Sequence, residues 1–247
     1  MVDINMGIIN GVVCTDEDYN SAIKVVENAS KVGVKKIVIT SSYGLKEKDV
    51  ASEEMKKRVE KLKGMLEKKK VNISIYYAQD IKMSRDVLLE CLDNNVCSIN
   101  ETKYMLIDFG NTMTDEEVDM AFELTIKGFV PVVAHPERYQ EIIDKIDRIE
   151  KLKEIGCLLQ LDIKSLEGIH GNEVKKIAKK LLKAGEYSFV ATEDYSKNKD
   201  NSKYLKELLS KTQQDTFRKN GFKLLRNEEI SLKQEQKKQR RGLFSFS

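Results

Sequence analysis

The chain has 247 residues, 40% hydrophobic and 34% charged, with 13 Gly, only 2 Pro and no Trp; this suits one large domain or two small ones and excludes disorder and fibre. No uncharged run reaches the roughly 18 apolar residues of a membrane span, and Asp3 stands where a secretion signal would place Lys or Arg, so a soluble cytoplasmic protein is expected. The net charge of +3 is concentrated at the end: residues 233–247 hold Lys233, Lys237, Lys238, Arg240 and Arg241 against Glu235, leaving a near-neutral body without a broad basic face for nucleic acid.

In chain order, short β-rich runs alternate with longer helical patterns, the signature of βα units on a parallel sheet. Strands are expected at Val2–Ile4, Lys36–Thr40, Val71–Ala78, Tyr104–Phe109, Val130–His135, Cys157–Ile163 and Ser188–Glu193. Helix starts are expected at Thr15 with Asp18, Ser52, Ser84, Thr114 with Glu117, Asn172 and Ser202. Gly33, Gly128, Gly156 and Gly185 each end a helical pattern and precede a strand. Tyr19, Ala22, Ile23, Val26, Ala29 and Val32 share one helical face, as do Val174, Ile177, Ala178, Leu181 and Leu182, and both stripes read as core. Seven such units in about 225 residues predict an α/β fold, a barrel that is closed or nearly closed. Asn10-Gly11 lacks the glycine spacing of a nucleotide-binding loop, so an open dinucleotide-binding sheet is not expected. Cys14, Cys91, Cys97 and Cys157 lie far apart and read as reduced core residues.

In a βα barrel the reacting groups sit where strands end. Those positions hold Asn5, Thr40-Ser41-Ser42-Tyr43, Asp80, Asp108, His135 with Glu137 and Arg138, Gln160 with Asp162, and Glu193 with Asp194. Any one of these acids is also explained as a strand end meeting water. Three carboxylates and one imidazole at four different strand ends can converge on one cation. His135 follows a buried strand and precedes Pro136, which restricts its direction. An imidazole there also serves to satisfy buried hydrogen bonds.

The blocks "MVDIN", "GVKKIVIT", "AQDIK", "YMLIDF", "KGFVPVVAHPER", "SLEGIHG" and "FVATED" occur in the order and roughly at the spacing of the bacterial capsule-biosynthesis protein-tyrosine phosphatases. The chain resembles that family over residues 1 to about 225. The family consists of manganese-dependent enzymes of the PHP (polymerase and histidinol phosphatase) superfamily. The resemblance implies a PHP-type barrel domain over 1–225, a distorted seven-stranded βα barrel similar to a TIM barrel, with a multinuclear metal site at its C-terminal mouth and a basic-aromatic tail over 226–247. It also implies a bacterial tyrosine kinase, or its phosphotyrosine tail, as partner.

Several ligand positions of the family are altered. Its His-x-His after the first strand reads Asn5 and Gly7, its Thr-Pro-His-His reads Thr40-Ser41-Ser42-Tyr43, and its final Ser-Asp-Ala-His reads Thr192-Glu193-Asp194-Tyr195. Two family glutamates correspond to the shorter Asp80 and Asp108. Metal ligands therefore reduce to Asp80, Asp108, His135 and Glu193, a set expected to hold manganese or another divalent ion weakly or not at all. Arg138 is the catalytic candidate, with a planar donor fork suited to a substrate phosphate. A loop salt bridge to Glu137 or a neighbouring acid is the other reading of Arg138.

Phosphate monoester hydrolysis needs accelerations up to about 10²¹-fold, with metals supplying nucleophile and charge clamp. The expected function is accordingly a catalytically degenerate family member acting as a binding or regulatory module in capsule or exopolysaccharide assembly. The alternative is an active phosphotyrosine-protein phosphatase with a smaller metal site. Residues 233–247, with Leu243, Phe244 and Phe246 after the basic cluster, read as a solvated end or as a contact for an anionic membrane surface or acidic partner.

Overall fold

The computed structural model describes residues 1–9, 11, 13–31, 33–46, 49–110, 112–192 and 207–231. Seven strands, β1 (Val2–Met6), β2 (Lys36–Tyr43), β3 (Ser74–Lys82), β4 (Tyr104–Asp108), β5 (Val130–Ala134), β6 (Leu158–Asp162) and β7 (Phe189–Ala191), pair in sequence order and in parallel. This is the α/β architecture expected from the alternating pattern. The helices are α1 (Asp16–Lys31), α2 (Ser52–Lys68), α3 (Arg85–Leu92), α4 (Asp115–Ile126), α5 (Gln140–Asp144), α6 (Ile149–Glu154), α7 (Ile163–Glu167), α8 (Asn172–Ala184) and α9 (Lys211–Leu225).

A parallel sheet covered by helices buries both faces of every strand, which explains the near-continuous apolar runs. Val2, Ile4, Val38, Ala78, Tyr104, Leu106, Val132, Ala134, Leu158 and Phe189 fill the barrel interior. Their neighbours one step along point outward. Ile37, Ile39 and Ile75 meet Ile23, Val26, Val59 and Leu62 of α1 and α2. On the other flank Ile107, Val133, Leu159 and Val190 pack with Leu124, Ile177 and Leu181 of α4 and α8. The stripe on α1 is buried at Tyr19, Ala22, Ile23, Val26 and Ala29.

The ladder leaves a seam where β7 returns beside β1. Asp3, fully buried, joins it: its carboxylate accepts from the Thr192 backbone N–H at 3.0 Å and from the Thr192 hydroxyl, and from the Asn5 N–H at 3.2 Å. The barrel is therefore nearly closed, with one turn of side-chain bonding in place of a ladder.

Helix α9 covers the opposite end of the barrel and inserts Leu224 among the interior residues. Its start is a capping box, Ser210 with Gln213, that the sequence reading did not single out. Past its end, Asn227 accepts from the Lys103 N–H at 2.9 Å and the Glu228 carbonyl accepts from the Tyr104 hydroxyl at 2.5 Å, so residues 227 and 228 remain bonded to the start of β4. Residues 232–247, including the basic-aromatic segment 233–247, lie outside the described residues, as do Val32, Glu193, Asp194, Tyr195 and the expected helix start at Ser202.

Gly221 of α9 lies against Val2: a Cβ there would stand 2.6 Å from the Val2 Cβ. Gly221→Ala gains about 1 kcal/mol of helix propensity but overpacks the contact at a cost of about 1–3 kcal/mol, so a net loss on the order of 1 kcal/mol is expected. Urea denaturation measures it. An unchanged midpoint would show that α9 slides freely on β1.

Several local expectations differ from the structure. Strand β3 begins at Ser74 and continues to Lys82, and β2 continues to Tyr43, because the two strands stay in register through Ser42↔Asp80 and Tyr43↔Ile81 although the outer residues are polar. Ser52 and Asn172 are first helical residues, preceded by Ala51 and Gly171 without a side-chain cap. Thr15, Ser84 and Thr114 do cap their helices. His135 adopts φ 35°, ψ 53°, instead of the extended backbone that a following proline favours. Such a left-handed non-glycine conformation costs on the order of 1–3 kcal/mol and persists only where surrounding bonds fix it.

The cysteines are free; Cys91, Cys97 and Cys157 are buried and Cys14 is half-buried. Burial pushes the Cys91 thiol up to about 12, which suppresses the reactive thiolate. Among the described residues no helix is long and apolar enough to cross a membrane.

Candidate functional site

The interior period of two continues to the C-terminal end of the strands and there turns polar. One step of two residues past Ala78 comes Asp80 and then Lys82; past Leu106 comes Asp108; past Leu158 come Gln160 and Asp162. On β1 the register shifts between Asp3 and Met6, a bulge-like irregularity that re-aims the strand end. Asn5 there accepts through its side-chain oxygen from the Thr40 hydroxyl at 2.7 Å.

Asp80, Asp108 and His135 come together as three of the four expected metal ligands, and Glu193 lies outside the described residues. A cation stands among them, and it is Lys82. Its Nζ donates to Asp80 Oδ2 at 3.1 Å and to Asp108 Oδ2. The register Lys82↔Asp108 places the two residues side by side on neighbouring strands. Asp108 uses its other oxygen to accept from the Gly110 N–H at 2.7 Å, and His135 Nε2 lies 3.4 Å from Asp108 Oδ2. Tyr139 anchors this corner: its hydroxyl donates to the Ala134 carbonyl at 2.8 Å and accepts from the Phe109 N–H at 3.3 Å.

The protonation states follow from these contacts. Burial opposes ionisation of Asp108, but the His135 imidazole and the Lys82 ammonium outweigh it and hold the carboxyl well below the usual carboxylate range. Burial likewise lowers Lys82 and His135, and the facing carboxylates outweigh it, raising both. Burial dominates at Asp80 and raises it, in keeping with an Oδ1 that has no hydrogen-bond partner.

A second cluster lies at the end of β6. The Pro136–Arg138 turn carries Glu137 inward, where it accepts from the Asp162 N–H at 3.1 Å and the Tyr187 hydroxyl at 2.9 Å, and it brings Arg138 onto the Asp162 carboxylate. Asp162 also meets His170 Nε2 at 2.9 Å and caps α7 through the Lys164 N–H at 2.9 Å. Arg138 therefore makes the salt bridge to a neighbouring acid, and that acid is Asp162 rather than Glu137. The Gln160 amide beside it is fully buried with neither polar atom bonded.

The described residues of the mouth do not fit a divalent ion. Among the described residues no three His, Cys, Asp or Glu side chains are arranged to hold one. The space between the two carboxylates belongs to the Lys82 ammonium. Sequence reasoning missed Lys82 because it ended β3 at Ala78; a strand carried on to residue 82 puts Asp80 and Lys82 on one face.

The model of the family "Capsular polysaccharide synthesis, CpsB/CapC" matches residues 1–230. The chain belongs to the CpsB/CapC family. It is 29% identical over 240 residues to CapC of Staphylococcus aureus, covering 94% of this chain and 93% of that one. It is 27% identical over 256 aligned residues to the tyrosine-protein phosphatase YwqE of Bacillus subtilis, covering the whole of both. A crystal structure from work on YwqE and on CpsB of Streptococcus pneumoniae, described there as unique metal-dependent tyrosine phosphatases, superposes with a TM-score of 0.83 at 24% identity, covering 94% of this chain and 97% of the other. The CpsB/CapC fold is thus shared across almost the whole chain.

Proposed function

We propose that this CpsB/CapC chain is a catalytically degenerate family member whose barrel serves as a binding or regulatory module in capsule or exopolysaccharide assembly. Its partner in this reading is the phosphotyrosine tail of a bacterial tyrosine kinase, with residues 233–247 adding contact to an anionic membrane surface. One observation carries the reading. Where the family places metal-binding histidines this chain has Asn5, Gly7 and Ser42, and the Asn5 amide oxygen is already engaged by the Thr40 hydroxyl at 2.7 Å, so no imidazole faces the mouth from those positions. Without those nitrogens the chain has no means of assembling several metals around a hydroxide nucleophile. Arg138 and the altered site then serve to hold a phosphorylated tail rather than to cleave it.

The test is hydrolysis and binding of a phosphotyrosyl peptide by the purified chain with added manganese. Binding with turnover far below about 1 per second, the low end of ordinary enzymes, is expected. Turnover at or above that level, lost on His135→Ala, would establish the active phosphatase with a reduced site instead.

A further inference from the structure

We propose that residues 232–247 dock in cis on the outer face of α3 and α4, with Leu243, Phe244 and Phe246 on Leu89, Phe122 and Ile126 and the basic cluster against the surrounding acids. The inference goes beyond the functional reading above, since it concerns a surface outside the mouth and holds whether or not the mouth hydrolyses phosphate. The same cations cannot face a lipid surface and these helices at once, so docking is the state of the segment away from a membrane.

The face is apolar where helix surfaces are normally polar. Phe122 and Ile126 stand one turn apart on α4 and keep 48% and 72% of their surface, and Leu89 of α3 keeps 61%. Among the described residues the other exposed large apolar side chains, Val13, Leu45 and Ile169, sit singly in loops. Arg85 ties the two helices together, its guanidinium meeting Glu123 at 2.5 Å and Glu116 at 3.5 Å. One turn on from that bridge come Leu89 on α3 and Ile126 on α4. Neighbouring exposed apolar residues rimmed by charge mark an interaction surface, whereas scattered ones need no explanation.

Charge selects the occupant. Helices α3 and α4 carry seven acids between them against one cation, Arg85. Residues 233–247 carry five cations against one acid, and their apolar residues follow the cations directly. Helix α8, by contrast, holds five lysines and would repel them.

Reach permits the contact. The described chain ends beside the start of β4, which α3 precedes and α4 follows: Ile230 packs against the interior cluster, Lys103 pairs with Glu229, and the Lys103 N–H donates to Asn227. The Val130 N–H donates to the Lys103 carbonyl at 2.8 Å, which sets the end of α4, at Ile126, near that exit. From Ser231 to Leu243 a flexible chain spans roughly 20 Å, about the length of α4. A tether of that kind holds the segment at a local concentration on the order of millimolar, so a shallow apolar contact with exposed charge pairs suffices.

The chain has no Trp, so Phe244→Trp in the full chain is a single fluorescent reporter, read without lipid by its emission maximum and by acrylamide quenching. A blue-shifted, protected signal is expected at every protein concentration. Phe122→Asp with Ile126→Asp should move the emission toward that of a solvated Trp, lowering the docked-to-free ratio at least about tenfold, equivalent to about 1.4 kcal/mol. Asp93→Lys with Asp119→Lys, both at exposed positions, should do the same and serves if the first pair does not fold. A solvated Trp on the otherwise unmodified barrel would overturn the proposal, as would protection that survives either folded pair of substitutions. Protection that grows with protein concentration would place the segment on a second copy and overturn docking in cis. Phosphotyrosine turnover tests the functional reading and touches none of these readouts.

Discussion

Asp162→Ala is expected to lower the melting temperature by about 10 °C, the largest effect of any single change at the mouth. Asp162 is fully buried and does three things at once: it pairs with Arg138, it meets His170 Nε2 at 2.9 Å, and it caps α7 through the Lys164 N–H. Removing one member of a buried ion pair costs about 3–5 kcal/mol, and losing a helix cap costs about 1 kcal/mol. Arg138 keeps 20% of its side-chain surface, so water recovers part of the charge and the sum is taken near the low end, about 4 kcal/mol. For a chain of this size each kcal/mol is worth about 2–4 °C. Asp162→Asn retains an oxygen for the cap and should fall between the two. If Asp162→Ala melts within about 2 °C of the unmodified chain, solvent already screens the cluster and it does not hold the Pro136–Arg138 turn against β6.

At the seam, Asp3→Ala should cost about 3 kcal/mol, because two or more hydrogen bonds to a buried carboxylate are lost and their donors are left without partners. The Thr192 N–H at 3.0 Å, the Thr192 hydroxyl and the Asn5 N–H at 3.2 Å are those donors. The melting temperature should fall by about 6–12 °C. Thr192→Val removes one donor from the same network, so the double variant should lose much less than the sum of the singles; additive losses would mean that the two residues do not act on each other. The effect is on barrel closure and reaches function through it, since the same strand end carries Asn5 and its bond to Thr40.

Lys82 and Asp162 give the mouth a common logic. Each cation, Lys82 and Arg138, is matched to a buried carboxylate projected from a neighbouring strand end. This structure pairs both carboxylates internally with a cation of the same mouth.

The sequence alone determined the seven strands, the helices between them, and the gathering of Asp80, Asp108 and His135 at one end. Each of these follows from local rules: apolar runs mark doubly buried strands, and every parallel strand points its C-terminal end the same way. Tertiary structure decided who pairs with whom. Hydrophobicity ended β3 at Ala78, whereas the ladder with β2 and β4 carries it to Lys82 and thereby turns a surface lysine into the cation of the site. Arg138 had two carboxylates within reach in sequence terms, and the inward turn of Glu137 toward Tyr187 gave it Asp162. The Asp3–Thr192 seam joins residues 189 apart, and α9 closes the far end of the barrel with Leu224 among its interior residues and Gly221 against Val2. Periodicity along a chain fixes which face a residue occupies, but the register between strands, set by packing across the whole sheet, fixes its neighbour.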